Sequence, residues 1–259
     1  MRLDVATVLV QWAAGGLAAG WVTTRRRVVA TGYGWLVRGV FGTLAALGAA
    51  LGIAAADGGW GATLRDAGAV AMAVFAGAAL LVSVLRRRVP VGDDGAFPPW
   101  LDLLAPVAGF VALLGAAEAV GGGYALSAGR LLVGAAFLGL VTDAMLLGHW
   151  YLVQPGLSRG PIKELVRLTV WVWPLEVVLL LVPTGMISVL DGSIDDGYGG
   201  FLGVMWLVSA LTTLGLVLAA RRALDEPYYS AVMATTGLLY LAILTAFGTD
   251  VLARALLAP

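Results

Sequence analysis

Residues 131–151, LLVGAAFLGLVTDAMLLGHWY, form a long apolar run that contains one acid, Asp143, and one histidine, His149. About 20 mostly apolar residues cross the hydrocarbon core of a bilayer as a helix. The 259-residue chain is 60% hydrophobic and 12% charged, whereas soluble domains carry about 25% charged residues. The composition therefore predicts a multi-pass membrane protein. It excludes a soluble globule, a nucleic-acid binder and a disordered tail.

Eight segments of the chain are long and apolar enough to span a bilayer. Each segment ends at charged residues, glycine or proline. The segments are residues 4–24, 36–56, 66–85, 100–120, 131–151, 165–183, 200–220 and 228–252. We therefore predict an all-α, polytopic membrane protein with eight transmembrane helices.

The basic residues alternate between the two ends of these predicted spans. Twelve of them flank the odd-numbered connections: Arg25, Arg26, Arg27, Arg38, Arg86, Arg87, Arg88, Arg159, Lys163, Arg167, Arg221 and Arg222. The other side carries Arg2, Arg65, Arg130 and Arg254. Connections rich in Arg and Lys stay in the cytoplasm, so we predict that both termini face outward. The abundance of Gly, Ala and Arg indicates a GC-rich bacterial genome, which makes the cytoplasmic (inner) membrane the expected location.

Short motifs recur in the two halves of the chain at near-constant offsets. The motif LVSVLRR at 81–87 parallels LVLAARR at 216–222, DD at 93–94 parallels DE at 225–226, and GW at 20–21 parallels HW at 149–150. They predict two parallel four-helix repeats, residues 1–124 and 125–259, related by an axis along the membrane normal. The alternative is that any two apolar helices ending in Arg look alike.

The scarcity of metal-ligating residues limits the cofactors that this chain can hold. It has no Cys and a single His, His149. Disulfides, iron–sulfur clusters, thiolate zinc and covalently attached c-type haem are therefore excluded. A bis-histidine haem or a three-histidine zinc site cannot come from this chain alone. We predict no metal and no covalent cofactor, and we regard a quinone or a bound lipid as candidate ligands.

Asp143 and Glu176 are acids inside predicted spans, where an ionisable group usually faces a cavity, a partner or a pathway. Asp143 precedes His149 by six residues, and Glu176 follows Arg167 by nine. These steps correspond to about 9 Å and about 13–14 Å of helix rise. We therefore expect the two carboxyl groups at similar depth on neighbouring helices, where they can take up and release protons. The alternative is that Glu176 pairs with a neighbouring residue.

Pro174 lies two residues before Glu176 in the segment WVWPLE at 171–176. Proline inside a helix removes one backbone hydrogen bond and frees the carbonyl four residues earlier, here that of Val170. A freed carbonyl beside an acid can hold a water, a cation or a ligand. We therefore predict a proton or ligand site at Asp143, Glu176, His149 and Pro174. A simple packing kink is the alternative for Pro174.

The aromatic residues near these acids are candidates for quinone or interface contacts. They are Trp150, Tyr151, Trp171 and Trp173. Aromatic rings at a span end are normally interface anchors, which is the favoured interpretation of Trp150 and Tyr151. His149 can pass protons inward or donate a hydrogen bond to a quinone carbonyl. A plain interfacial histidine is the alternative.

Other charged residues near the span ends receive structural interpretations. Glu118 and Arg130 flank one short connection, and we predict a structural ion pair between them. Asp102 and Asp250 lie near span ends, where we expect water to reach them.

Two functions fit this pattern. The first is an integral membrane subunit of a larger bacterial energy-transducing complex, either respiratory or electron-transferring, that handles protons or a quinone without its own metal. In architecture alone the chain resembles the quinone-binding membrane anchors of some bacterial oxidoreductases, although no motif in its sequence matches them. The second is a self-contained, proton-coupled transporter of a small solute. A membrane enzyme acting on lipid is a third option, but the chain lacks the cluster of polar residues that such chemistry needs. Partners would be membrane lipids and other membrane subunits, not nucleic acid.

Overall fold

The computed structural model describes residues 4–89, 96–120, 123–154, 156–182 and 185–257. These residues form α-helices joined by short connections, with no strand among them. The helices are α1 (Val5–Thr24), α2 (Thr31–Ala55), α3 (Trp60–Leu85), α4 (Leu104–Val120), α5 (Tyr124–Trp150), α6 (Gly160–Leu181), α7 (Gly185–Leu190), α8 (Phe201–Ala223) and α9 (Tyr229–Leu256). A 3₁₀ turn, Pro99–Leu103, leads into α4. The predicted all-α class is confirmed.

Seven of these helices are long and apolar enough to cross a membrane: α1, α2, α3, α4 with its 3₁₀ turn, α5, α8 and α9. They are the helices expected of a membrane-embedded, multi-pass protein. The predicted sixth span, 165–183, corresponds to α6, which has 22 residues but carries four charged side chains. The end of that predicted span, at Pro183, lies outside the described residues. The count of eight spans therefore stays a prediction.

Several helices begin earlier than the apolar runs indicate. The third helix starts at Trp60 rather than at residue 66, and the fifth at Tyr124 rather than at 131. Arg65 and Arg130 thus lie inside helices, not in connections. Their guanidinium groups bind carboxylates or backbone carbonyls within the protein. Such pairing is the usual condition for burying a charge.

Two rings of helices make up the fold. The first ring runs α1–α2–α3–α4, with α4 packed back against α1, and the second runs α5–α6–α8–α9, with α9 packed back against α5. The rings meet chiefly where α1 and α4 pack against α5. The two halves predicted from the sequence thus have the same order of neighbours. Of the motifs behind that prediction, the DD pair at 93–94 lies outside the described residues.

Glycines bring the backbones of α1 and α5 together at the centre of the molecule. A Cβ atom on Gly15 would overlap the backbone carbonyl of Ala135, and one on Gly139 would overlap the backbone of Gly15. Small residues permit this kind of approach between membrane helices. The α1–α5 seam therefore fixes which side chains of the two helices face each other.

The connections that follow α1, α3, α5 and α8 lie together on one side of the molecule. Arg25 donates to Glu164 over 2.7 Å at the start of α6. Arg27 donates to the carbonyl of Phe97 over 3.0 Å, and the backbone N–H of Ala30 donates to Gln154 over 3.0 Å. We call this side the Arg-rich face and the other side the opposite face. The alternation of connections read from the basic residues agrees with this grouping.

Candidate functional site

Asp143 on α5 lies in a fully buried group of hydroxyl donors. The hydroxyl of Thr23 on α1 donates to its carboxylate over 2.5 Å, and the hydroxyl of Tyr33 on α2 donates over 2.6 Å. Tyr33 also reaches the backbone carbonyl of Asp143, 3.1 Å away. We call these three residues the Asp143 cluster. Its members come from three helices, so it exists only in the folded protein.

A second buried polar group joins α1, α6 and α9. Asp250 accepts from the Nε of Arg254 over 2.7 Å and from the side-chain amide of Gln11 over 3.3 Å. Arg254 also donates to the amide oxygen of Gln11. Glu176 lies beside Asp250 and Arg254, and all four side chains are at most 1% exposed. We call Gln11, Glu176, Asp250 and Arg254 the Glu176 cluster.

Glu176 differs from the other acids in its hydrogen bonding. Neither of its carboxyl oxygens has a hydrogen-bond partner among the described residues. Gly134 on α5 provides the space beside it, since a Cβ there would lie 3.4 Å from Glu176 Oε1 and 3.4 Å from Asp250 Oδ1. Because Asp250 and Arg254 already form an ion pair, Glu176 is the additional acid of the cluster.

A small cavity lies between Arg254 of the Glu176 cluster and the opposite face. It leaves about 20 Å³ in which the centre of a water molecule can lie, and its walls include Asp4, Arg65, Ser127 and Arg254. A space of about 10–15 Å³ measured in this way holds one water. Arg254 therefore contacts both the buried cluster and a space wide enough for water.

Asp4 and Arg65 form the outer wall of this cavity. Arg65 donates to Asp4 over 2.9 Å, and Asp4 caps α1 by accepting the backbone N–H groups of Ala6 and Thr7. Partial burial acts to raise the pKa of Asp4, but the hydrogen bonds from Thr7 and the charge of Arg65 hold that pKa below its ordinary value. Asp4 is therefore ionised near neutral pH and balances part of the Arg65 charge.

Asp143 and Glu176 do not share a site, and the expectation of similar depth is wrong. The sixth helix begins at Gly160, so Glu176 lies 16 residues along it, about 24 Å from the Arg-rich face. Asp143 lies seven residues before the end of α5, about 10 Å from that face. The apolar run begins near Arg167, but the charged turns before it, from Gly160 onward, are helical too and place Glu176 further from the Arg-rich face.

The side chains between the two clusters are mostly apolar. The indole N–H of Trp12 donates to the hydroxyl of Thr142 over 2.9 Å. Phe247 contacts the Trp12 ring edge-on, with the ring centroids 4.5 Å apart. Gly134, next to Glu176, precedes Asp143 by nine residues on α5, which corresponds to about 13–14 Å of rise. Trp12 and Thr142 therefore lie between the two clusters.

The aromatic candidates at the end of α5 have different environments. His149 is exposed, while Trp150 is half-buried and donates to Gln154 over 3.2 Å. Tyr151 is buried, and its hydroxyl donates to the backbone carbonyl of Ser158 over 2.7 Å. His149 does not belong to the Asp143 cluster. Six residues along a helix place two side chains on different faces, so Asp143 points inward and His149 outward.

Helix α6 continues through Pro174 without a break from Gly160 to Leu181. Pro174 lies on its exposed side, whereas Glu176 lies on its buried side. Trp171 is 71% exposed, and Trp173 donates its indole N–H to the carbonyl of Ala210 on α8 over 2.9 Å. The four predicted site residues of the region therefore point in different directions, and only Glu176 joins a buried polar cluster.

The predicted ion pair between Glu118 and Arg130 is not formed. Arg130 instead donates to the backbone carbonyls of Leu179 and Val182, both over 2.8 Å. Those carbonyls lack helical partners because α6 ends there. Glu118 is exposed.

Asp102 and Asp250 are also more enclosed than their positions near span ends indicated. Asp250 is 1% exposed because α9 continues past it to Leu256, which brings Arg254 one turn further along the same face. Asp102 forms a two-point ion pair with Arg38, with both N–O distances 2.7 Å. The expectation that water reaches both acids is wrong for Asp250.

Sequence reasoning missed Thr23, Tyr33 and Gln11 as site residues. Thr23 and Tyr33 carry no charge, so nothing in their local sequence separates them from ordinary helix residues. Gln11 gave a usable signal, since it is a strongly polar side chain in the middle of an apolar run. Asp250 and Arg254 gave another, because acid and base four residues apart face each other on a helix.

The described residues contain no group of three or more His, Cys, Asp or Glu side chains able to hold a metal ion. The chain matches no protein-family model, no curated protein and no solved structure. Any assignment of function therefore depends on the two buried clusters.

Proposed function

We propose that this chain is a membrane subunit of a larger energy-transducing complex and that it carries protons through the Glu176 and Asp143 clusters. The observation behind the proposal is Glu176, a fully buried acid whose two carboxyl oxygens have no hydrogen-bond partner among the described residues. Intramembrane acids of this kind usually mark a pathway for ions or protons.

The surroundings of Glu176 suit reversible protonation. A buried carboxylate without a partner is costly, and such a group takes up a proton instead. Asp250 and Arg254 next to it form a neutral pair, so they do not fully compensate a second negative charge. The charge of Arg130 also acts on Glu176, but its guanidinium donates to the backbone carbonyls of Leu179 and Val182 instead. Glu176 can therefore change its charge while the neighbouring ion pair stays intact.

The cavity at Arg254 brings water close to this acid. It extends from the Asp4–Arg65 pair on the opposite face to Arg254, which belongs to the cluster. A chain of one or two waters there would pass protons between the surface and Glu176. Glu176 does not line the cavity, so the side chains between the acid and the water would have to move during transfer.

The Asp143 cluster would carry the proton on the other half of the path. Its acid lies about 10 Å from the Arg-rich face, and the hydroxyls of Thr23 and Tyr33 contact it directly. Hydroxyl groups both accept and donate, so they can relay a proton. The pair of Trp12 and Thr142 lies between the clusters and would have to open, or admit water, during transfer.

Partner subunits would supply the redox chemistry in this proposal. A quinone is the ligand that we propose for the end of α5, where exposed His149 can donate a hydrogen bond to a quinone carbonyl. Half-buried Trp150 beside it offers an apolar ring surface. The same order of neighbours in the two helix rings supports the proposal that the chain is a parallel duplication of four helices.

Proton transfer is tested by reconstituting the complex into vesicles and recording proton uptake with a pH-sensitive dye. We expect Glu176→Gln and Asp143→Asn to lower the rate by at least about tenfold each, as for loss of a positioned proton carrier. Glu226→Gln is the matched control, because it makes the same chemical change at an exposed position. Wild-type uptake in both cluster variants, with folding intact, would refute the proposal.

The subunit assignment is tested by mass spectrometry of material extracted gently from the native membrane. Redox subunits and a bound quinone are expected to accompany the chain. Recovery of this chain alone, without quinone, would contradict the assignment.

The second candidate is a self-contained, proton-coupled transporter of a small solute. It is favoured by the position of the two clusters, which lie at opposite ends of the same α1–α5 seam. Acids inside spanning helices form the proton relays of pumps and transporters, and such a relay has to be reached from both sides. Solute uptake by vesicles that contain only this chain, driven by a pH gradient, would support the transporter over the subunit.

A further inference from the structure

A second polar cavity lies on the Arg-rich face, and none of its lining residues belongs to the two acid clusters. Its volume is about 230 Å³, and it lies between the connection after α1, the first turns of α2 and the segment that leads into α4. Pockets for drug-sized ligands are larger, at about 300–1,000 Å³. The cavity therefore fits a small group, or the end of a longer molecule.

The lining of this cavity is strongly basic. The described residues contribute four guanidinium groups, from Arg27, Arg38, Arg86 and Arg87, and one carboxylate, from Asp102. Among the described residues, the lining thus has an excess of three positive charges. A cavity whose lining is this positively charged attracts an anion with more than one negative oxygen.

Arg38 is the buried member of the set. It is 6% exposed, and its Nε and Nη2 each donate to Asp102 over 2.7 Å. Its guanidinium carbon also lies 4.5 Å from the centre of the Phe97 ring. The remaining nitrogen, Nη1, is buried and has no hydrogen-bond partner among the described residues. A guanidinium group has only donors, and burying it with the N–H pair of one nitrogen unbonded is costly.

Gly34 leaves room for that nitrogen one turn earlier on α2. A Cβ atom on Gly34 would lie only 2.9 Å from Arg38 Nη1, and both residues line the cavity. The unused N–H group therefore lies in the wall of the cavity, just below its surface.

The rim arginines are held in place by backbone carbonyls. Arg27 Nη2 donates to Phe97 over 3.0 Å, and Arg86 Nη1 donates to Ala96 over 3.4 Å. Each guanidinium has five N–H donors, so donors remain for a ligand. Arginine held in this way is suited to two-point binding of phosphate oxygens.

We propose that this cavity binds a phosphate group, with Arg38 as its innermost donor and Arg27, Arg86 and Arg87 at its rim. Basic pockets between helices on the cytoplasmic side of membrane proteins bind lipid phosphates in this way. The phosphate can belong to an anionic lipid headgroup or to a free phosphate ion. The proposal is independent of proton transfer, since none of these residues belongs to the two acid clusters.

The experiment uses the full chain purified in detergent and stripped of lipid. Native mass spectrometry counts the phosphatidylglycerol molecules retained by the protein, with diacylglycerol as the lipid that lacks phosphate. Isothermal titration calorimetry measures the binding of inorganic phosphate. Because Arg38→Ala would also leave Asp102 unpaired, the main variant is the double substitution Arg86→Gln with Arg87→Gln.

The matched control is the double substitution Arg88→Gln with Arg222→Gln. It removes the same two charges from exposed positions on the Arg-rich face that do not line the cavity. We expect the cavity variant to weaken phosphate or phosphatidylglycerol binding by about tenfold, since exposed donors are partly screened by solvent. The control is expected to bind as the wild type does. Equal thermal unfolding temperatures of the wild type and the two double variants would exclude misfolding.

Each outcome has one interpretation. Binding of phosphatidylglycerol, but not of inorganic phosphate, that is lost only in the cavity variant identifies a lipid headgroup site. Cavity-dependent binding of inorganic phosphate identifies a site for a soluble phosphate. No binding of either probe, or binding that the cavity variant weakens no more than the control does, overturns the proposal.

Discussion

Replacing Gly15 by alanine tests the close contact between α1 and α5. The added methyl group would overlap the backbone carbonyl of Ala135, which cannot rotate away as a side chain would. Overpacking costs about 1–3 kcal/mol, and a collision with backbone belongs at the upper end. Alanine also favours the helix over glycine by about 1 kcal/mol. The difference is a net destabilisation of about 2 kcal/mol.

The matched control is Gly77→Ala on α3. Gly77 is exposed and has no heavy atom within 4 Å of the position of an added Cβ. It should therefore gain only the helix preference of about 1 kcal/mol. Thermal unfolding in detergent, followed by circular dichroism, is the assay. For a chain of this size, about 1 kcal/mol shifts the midpoint by about 2–4 °C. We expect a fall of about 4–8 °C for Gly15→Ala and a rise of about 2–4 °C for Gly77→Ala.

The two substitutions are expected to shift the midpoint of thermal unfolding in opposite directions. If Gly15→Ala were as stable as the wild type, the backbones of the two helices would not be in contact. If both substitutions lowered the midpoint equally, the effect would be a general response to alanine and not a consequence of the seam.

Three further predictions concern single contacts. Tyr33→Phe removes one hydroxyl donor from buried Asp143 and should lower the free energy of unfolding by about 1–2 kcal/mol. Asp102→Asn leaves the buried guanidinium of Arg38 without its carboxylate and should cost about 3–5 kcal/mol. Asp196 caps α8, and the backbone N–H groups of Gly200 and its neighbours hold the pKa of Asp196 below its ordinary value of 3.8. Its contribution is present at neutral pH and is lost as the pH falls below 3.8, so Asp196→Ala should lower the unfolding temperature at pH 7 but not in strong acid.

Each of these three has a control measured by the same unfolding assay. Tyr240→Phe changes an exposed tyrosine and should have no effect. Asp225→Asn breaks the exposed ion pair with Lys163 and should change stability little. Asp195→Ala removes an acceptor for a single backbone N–H group and should shift the unfolding temperature less than Asp196→Ala does. A control effect as large as that of its partner variant would contradict the assignment of the contact.

Composition and charge pattern predict most of the membrane architecture. A helix in hydrocarbon satisfies its own backbone groups, so a long apolar run leaves few alternatives to a spanning helix. The alternating arginines also predicted which connections share a face, and the contact between Arg25 and Glu164 agrees with this grouping. Local sequence does not predict where a helix begins when its first turns are charged, as in residues 160–167, because such a stretch looks like a connection.

The candidate site is less accessible to sequence reasoning. Glu176 could be singled out because an acid in an apolar helix is conspicuous by itself. Its partners could not, since Gln11 and Arg254 are 243 positions apart and meet only when α1 and α9 pack around α5. The same holds for Thr23 and Asp143, which are 120 positions apart.

The sequence by itself determined that the chain is all-helical, that it belongs in a membrane and which connections lie together. These properties follow from the local balance of apolar and charged residues, which each segment carries independently of the others. Only the tertiary structure decided that Asp143 and Glu176 lie in separate clusters and that Arg38 has an unused donor in the wall of a basic cavity. The physical reason is that helix packing selects the neighbours, and the contact at Gly15 and Gly139 sets how α1 and α5 align.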